Sequence, residues 1–186
     1  MAKLYFRYGT MGSSKSAQAL MVEFNYMERG YHVLLAKPSV DTRDEAAVIR
    51  SRVGLERPCK LIHREQSFAE LLEPQHQVVI VDEAQFLTGK QVEELKNLTI
   101  DRDMPVLCYG LRTDFSTHLF EGSARLLELA ESVIEIKSIC HCGAKATVNA
   151  RFNENGIIRE GPQVVIGGNE QYTPLCYRCW REGRLS

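Results

Sequence analysis

The chain has 186 residues with a formal net charge of -1, 44% hydrophobic residues and 25% charged residues. This balance excludes disordered and collagenous classes, and the length allows one main core with at most a small appendage. Near-neutral charge without a Lys/Arg stripe argues against a nucleic-acid coat, and no apolar run approaches the ~20 residues of a membrane span.

In chain order, Leu4-Tyr5-Phe6 has the composition of a strand and leads into Gly9, Thr10, Met11, Gly12, Ser13, Ser14, Lys15 and Ser16. Leu20, Met21, Phe24 and Met27 then recur at helical spacing, and Gly30 supplies a stop. With a second strand at residues 33–36, this makes a βαβ unit, which implies a parallel sheet and a right-handed crossover. Residues 41–58 are polar and charge-rich with no clear strand, and a mobile loop is expected around 44–57. A short helix is expected over 67–72. Val78-Val79-Ile80-Val81 is a β-branched run of the kind buried on both faces of a sheet. A helix over 91–98, a strand over 105–110, a helix over 124–130 and a strand over 133–136 complete an α/β pattern. From Cys140 onward the composition shifts to Gly, Cys and short β-type runs such as Val164-Val165-Ile166, with no long helical period. The division expected is a core over 1–138 and a small subdomain over 139–186.

Three constellations carry chemistry. Gly9 to Ser16 fits G-x-x-x-x-G-K-[ST] except that Ser14 stands where the second glycine belongs. Backbone N–H groups at such a turn cradle anions, Lys15 would reach the β/γ-phosphates, and the Ser16 hydroxyl would ligate Mg²⁺. The alternative is a Gly/Ser-rich βα turn with an incidental lysine. Asp82 and Glu83 follow the buried strand: one acid can hold Mg²⁺ and its neighbour can accept a proton, or both merely begin a loop. Cys140, Cys142, Cys176 and Cys179 form two close pairs separated by 33 residues, enough thiolates for a closed tetrahedral Zn²⁺ site. His141 could substitute for a thiolate. Paired cysteines of this kind, and an N-terminus running straight into a strand pattern without a signal-peptide core, point to the cytoplasm.

These residues, with Lys37-Pro38, Asp41-Thr42-Arg43, Asp82-Glu83-Ala84-Gln85-Phe86, the run Tyr109 to Phe115 and the run Val165 to Glu170, together resemble thymidine kinases of type II. The resemblance spans nearly the whole chain. It implies a P-loop NTPase-like α/β fold with a zinc-bound C-terminal lasso, and transfer of the γ-phosphoryl of ATP to the 5′-hydroxyl of thymidine, with deoxyuridine as a secondary substrate. By the same resemblance Glu83 is the catalytic base. Gly9 to Ser16, Asp41, Thr42, Arg43, Asp82, Glu83, Ala84 and Gln85 surround the ATP phosphates, with Ser16 and Asp82 on the Mg²⁺ side. Phe86, Leu111, Phe115, Phe120 and Tyr172 enclose the nucleoside, while Gln163, Val164, Val165, Ile166 and Gly167 present main-chain groups to thymine. Met11, Leu111 and Tyr172 form an apolar spot for its 5-methyl group. A homotetramer and feedback inhibition by thymidine triphosphate are also implied, and neither nucleic acid nor membrane is expected as a partner. Two departures stand out: Ser14 replaces the expected glycine, and Cys179 occupies a zinc position that is often His in relatives. Rival readings are a different P-loop kinase or ATPase, and a zinc-dependent binding module that uses ATP only as a ligand.

Overall fold

The computed structural model describes residues 1–40, 47–165 and 171–186. Its centre is a six-stranded sheet in the order β5-β2-β6-β7-β1-β8, formed by Lys60–Ile62, Val33–Pro38, Val78–Val81, Val106–Gly110, Leu4–Tyr8 and Ser132–Glu135 respectively. Every neighbouring pair in it is parallel. The central strands are apolar on both faces because both are covered. Val79, Val81, Val106 and Cys108 point into one hydrophobic cluster with Leu4, Phe6, Leu95 and Leu126. Val78, Ile80, Leu107 and Tyr109 point the other way, onto Ala19 and Leu20. Successive residues of one strand thus feed two different cores, as the period-2 pleat dictates.

Helix α1, Lys15–Glu28, covers one face; α2, Gly89–Asp101, and α3, Glu121–Leu129, cover the other. Of the helical-period residues in α1, only Leu20 is buried; Met21, Phe24 and Met27 are exposed, and Ala17, Ala19 and Glu23 pack inward instead. Small residues on that face let α1 lie close to the sheet. Thr88 caps α2 by accepting from the Gln91 N–H, while the Gln91 side chain accepts from the Thr88 N–H. The third helix begins at Glu121, earlier than its apolar period suggests. Gly122 opens it because a Cβ there would stand 2.5 Å from the Ala84 carbonyl and 2.8 Å from that of Leu87. Only glycine lets α3 press onto the turn that follows β6.

The polar region before residue 58 is not strandless. Val48–Arg50 (β3) and Glu56–Pro58 (β4) form an antiparallel hairpin, with Ile49 buried against the α1 side of the sheet. Its strands are too short and too charged for alternation to reveal them. The remainder of the expected loop, residues 44–46, lies outside the described residues. The helix expected over 67–72 is a single 3-10 turn, Phe68–Glu70, with Ser67 and Glu70 in a capping box.

Beyond residue 138, Val148–Asn153 (β9), Gly156–Ile158 (β10) and Tyr172–Leu175 (β11) form a separate antiparallel sheet, and Tyr177–Glu182 forms the short helix α4. Cys140, Ala146, Val148, Ala150, Leu175, Cys179 and Trp180 make a third, small core there. Val164 and Val165 belong to no strand, contrary to their β-type composition; Ile166 lies outside the described residues. None of the helices among the described residues is long and apolar enough to cross a membrane.

Candidate active site

The C-terminal ends of β1, β2, β6 and β7 open into one cleft of about 770 Å³, large enough for a substrate-sized ligand. In a parallel sheet this edge is where ligands bind, since the strand ends and helix N-termini converge there.

The turn after β1 carries the anion-cradle signature. Its backbone is closed by a Ser13 N–H to Thr10 carbonyl bond of 3.2 Å, and the Gln18 N–H bonds to the Ser14 carbonyl at 3.0 Å to begin α1. Ser14 has φ 64°, ψ 22°, a left-handed conformation that disfavours any residue with a Cβ. The substitution therefore keeps the glycine-type loop geometry at the expense of backbone strain, and its side chain makes no capping hydrogen bond. Lys15 is buried, with Nζ donating to the Thr10 carbonyl at 2.7 Å and to Ser13 Oγ at 3.2 Å. Burial pushes its pKa below the ordinary lysine value, against the pull of the Glu83 and Asp82 carboxylates.

Ser16 Oγ donates to Asp82 Oδ2 at 2.6 Å, bringing the first turn of α1 to the end of β6. Asp82 is buried, and its pKa is raised to about 6 by desolvation first and by the adjacent Glu83 carboxylate second. Glu83 also adopts the left-handed region, with φ 52° and ψ 35°. That turn separates two consecutive acids: Asp82 faces inward to Ser16, while Glu83 reaches the cleft wall. Gln85 fixes Glu83 by donating from Nε2 to its Oε2 at 2.5 Å, and its Oε1 accepts from the Leu111 N–H at 3.1 Å.

Phe86, Leu111, Phe115, Phe120 and Tyr172 all line the same cleft, as do Gln163, Val164 and Val165. Phe86 and Phe120 meet edge to face at 5.5 Å. Met11, Gly12, Ser14, Lys15, Ser16 and Gln85 line the cleft too, whereas Gly9, Thr10, Ser13, Asp82 and Ala84 are buried and do not. Asp41, Thr42, Arg43, Ile166 and Gly167 lie outside the described residues.

Several contacts around the cleft carry no local sequence signal. Asn149, on β9, accepts from the Met11 N–H at 2.8 Å and donates to the Thr113 carbonyl at 3.0 Å, so one side chain ties the anion turn to the loop after β7. Thr10 and Ser138 share a further hydroxyl hydrogen bond. Asp114 accepts from Gln163 Nε2 at 2.9 Å. Burial would raise the Asp114 pKa, but hydrogen bonds from Gln163, Ser116 and His118 outweigh it and hold the carboxyl below its ordinary value. Buried Arg151 lies 3.6 Å over the Phe115 ring and donates to the Pro162 carbonyl at 2.9 Å. Such contacts span 11 to 138 positions of chain, so no local pattern announces them.

The four cysteines converge. The Sγ atoms of Cys140, Cys142, Cys176 and Cys179 all lie within 4.8 Å of one another, and those of Cys142 and Cys176 are 3.7 Å apart. A tetrahedral zinc with Zn–S bonds of about 2.3 Å places its sulfurs about 3.8 Å apart, so the donor set fits that ion. His141 is exposed and is not one of the clustered donors.

An α/β protein that gathers a lysine, a serine hydroxyl and two diverging carboxylates at the C-terminal edge of a parallel sheet is equipped for phosphoryl transfer. A family model described as thymidine kinase matches residues 2–180. The thymidine kinase of Zymomonas mobilis subsp. mobilis is 50% identical over 184 residues, covering 96% of this chain and 95% of the relative. Those of Rhodopirellula baltica and Shewanella oneidensis are 45% and 43% identical, each over 188 residues and 98% of this chain, covering 89% and 98% of the relatives. The chain belongs to the thymidine kinase family.

Two outcomes follow from the strained serine and the buried acid. Ser14→Gly relieves the left-handed serine and is expected to raise unfolding free energy by about 1 kcal/mol, measured by urea titration. In metal-free protein, Asp82 with its raised pKa makes the folded state bind more protons than the unfolded one between about pH 4 and 6. Its contribution to stability consequently falls as pH rises through that window, by up to about 1.4 kcal/mol per pH unit. Urea titrations across the window should show a less negative slope of stability against pH in Asp82→Asn than in the native sequence.

Proposed function

We propose that this protein transfers the γ-phosphoryl group of ATP to the 5′-hydroxyl of thymidine, with deoxyuridine as a poorer substrate. Family membership supports the reaction, and the observation that supports the site is that Glu83, held by Gln85, lines the same cleft as Lys15 and the aromatic wall. A phosphate end and a nucleoside end therefore share one cavity with a carboxylate on its wall.

In this reading the turn from Gly9 to Ser16, with Asp82, Ala84 and Gln85, holds the triphosphate, and Asp41, Thr42 and Arg43 join it. Lys15 neutralises charge on the β/γ-phosphates; its lowered pKa reflects a desolvated ammonium that gains from an anion. Ser16 and Asp82 supply hard oxygen donors side by side, the set that suits Mg²⁺. Mg²⁺, when bound with ATP, neutralises phosphate charge. Glu83 orients the 5′-hydroxyl and takes its proton as the oxygen attacks the γ-phosphorus; the bond to the β-phosphate oxygen breaks and ADP leaves. Phe86, Leu111, Phe115, Phe120 and Tyr172 surround the nucleoside, and residues 163–167 present main-chain groups to the base. Apolar contact from Met11, Leu111 and Tyr172 favours the 5-methyl by about 1–3 kcal/mol, so discrimination against deoxyuridine is incomplete.

Residues 139–186 serve as a subdomain stapled by structural Zn²⁺ on Cys140, Cys142, Cys176 and Cys179. Arg159 adds to this staple by donating to the Trp180 and Arg181 carbonyls at 2.6 and 3.0 Å. The working protein is a homotetramer in the cytoplasm, inhibited by thymidine triphosphate. Exposed Met21, Phe24 and Met27 on α1 and exposed Val133 and Ile134 on β8 support subunit contacts, and clustered thiols suit a reducing compartment. A cavity with adjoining phosphate and nucleoside ends also suits a nucleoside triphosphate as inhibitor.

The test is formation of thymidine monophosphate from ATP, Mg²⁺ and a panel of deoxynucleosides; ATP turnover that thymidine does not stimulate would contradict the reading. Glu83→Gln is expected to lower kcat about 10²- to 10⁴-fold while MgATP binding and zinc content persist. Cys176→Ser should release zinc and raise the thymidine KM, followed by metal analysis and steady-state kinetics, because β11 and α4 lose their tether. Wild-type metal content and kinetics would count against the staple.

A further inference from the structure

Four basic side chains of the described residues line the cleft: Lys15, Lys37, Arg50 and Arg52. Three are engaged within the protein. Lys15 donates to Thr10 and Ser13, Lys37 Nζ donates to the Val48 carbonyl at 2.9 Å, and Arg50 pairs with Glu56 at 2.7 Å. Arg52 is different. It stands exposed in the turn between β3 and β4 and makes no hydrogen bond or ion pair with the described residues.

Its position is specific. A Cβ placed on Gly12, which has φ +77°, would lie 3.4 Å from Arg52 Nη1, so the guanidinium rests directly over the backbone of the anion turn. The hairpin that carries it is anchored from below: Ile49 is buried in the core on the α1 side, the Cys59 N–H bonds to the Ala47 carbonyl at 2.7 Å, and Arg57 pairs with Glu23 of α1 at 3.4 Å. Two cations thus stand at the same turn, Lys15 on the Thr10 carbonyl and Ser13 Oγ and Arg52 against Gly12. Two like charges held at one turn repel, so the pair is unfavourable in the free protein. An anion between them turns this repulsion into attraction on both sides.

The geometry points to Arg52 as a phosphate-contacting residue that grips the ATP polyphosphate from the hairpin beside the turn, together with Lys15. This rests on the kinase reading given above. A guanidinium suits the position because its planar fork can bond two phosphate oxygens at once, and because phosphoryl transfer asks for charge neutralisation more than for covalent chemistry. Thymidine carries no charge, so the contribution falls on the nucleotide alone. Arg52 is therefore a determinant of ATP use and not of nucleoside choice.

The test uses the full chain with Arg52→Gln and Arg52→Lys, steady-state kinetics for both substrates, and separate calorimetric titrations with MgATP and with thymidine. Arg52→Gln is expected to lower kcat/KM for ATP about 10- to 100-fold and to weaken MgATP binding. Thymidine affinity, zinc content and thermal midpoint should match the native sequence. Arg52→Lys should recover part of the loss, since it restores the charge without the fork. A native kcat/KM for ATP in Arg52→Gln overturns the assignment, and so does a parallel loss of thymidine binding, which would mean a distorted cleft. If the native chain binds MgATP in an Arg52-dependent way yet phosphorylates no nucleoside, the phosphate contact stands and the kinase reading fails.

Discussion

The hydrogen bond between Ser16 and Asp82 is the constraint on which the cleft depends. It joins residues 66 positions apart, one in the first turn of α1 and one at the end of β6, with β7 lying between β6 and β1 in the sheet. Asp82 sits in a desolvated position that raises its pKa to about 6, so its carboxyl needs both the serine hydroxyl and the nearby lysine to be tolerated there as an anion. The protein accepts this because a buried carboxylate beside an anion turn is the arrangement that a divalent ion with phosphates would complete. The left-handed backbone at Glu83 then sends the next side chain the other way, to the cleft surface. A single strained residue thus yields two acids with different surroundings.

The C-terminal sheet also touches both the anion turn and the aromatic wall of the cleft. From β9, Asn149 shapes the anion turn through Met11, and Arg151 packs on Phe115 while holding Pro162. Asp114 and Gln163 extend the same tie toward residues 163–165. The small core around Cys140, Cys179 and Trp180 holds that sheet together, and seven buried residues are too few to do so unaided. A metal bound to the four thiols would therefore support both the anion turn and the aromatic wall without taking part in chemistry.

The parallel core and the thiol cluster were legible because their signals are local: a turn before Lys15-Ser16 and a β-branched run before Asp82-Glu83 for the core, and paired cysteines at short spacing for the cluster. The fate of the hydrophobic residues on α1 was less legible. Periodicity marks Met21, Phe24 and Met27 as a helical stripe but cannot tell a core face from an exposed one, and here alanines do the inward packing. The β3–β4 hairpin and β9 carry no such signal because their strands are short, charged or interrupted by polar residues such as Asn149. Gly122 hides the start of α3, since the close approach that demands glycine exists only once the helix meets the turn at Ala84. Asn149 and Arg52 belong to the site through tertiary placement alone.

The proposed reaction requires one cleft to hold both substrates with Glu83 between them. A crystal structure with Mg²⁺, a non-hydrolysable ATP analogue and thymidine tests it most directly. A Glu83 carboxylate oxygen is expected within about 3 Å of the thymidine 5′-oxygen, with that oxygen in line with the γ-phosphorus. A structure with another side chain at that oxygen, or with the nucleoside outside the wall formed by Phe86, Phe115 and Phe120, would contradict it.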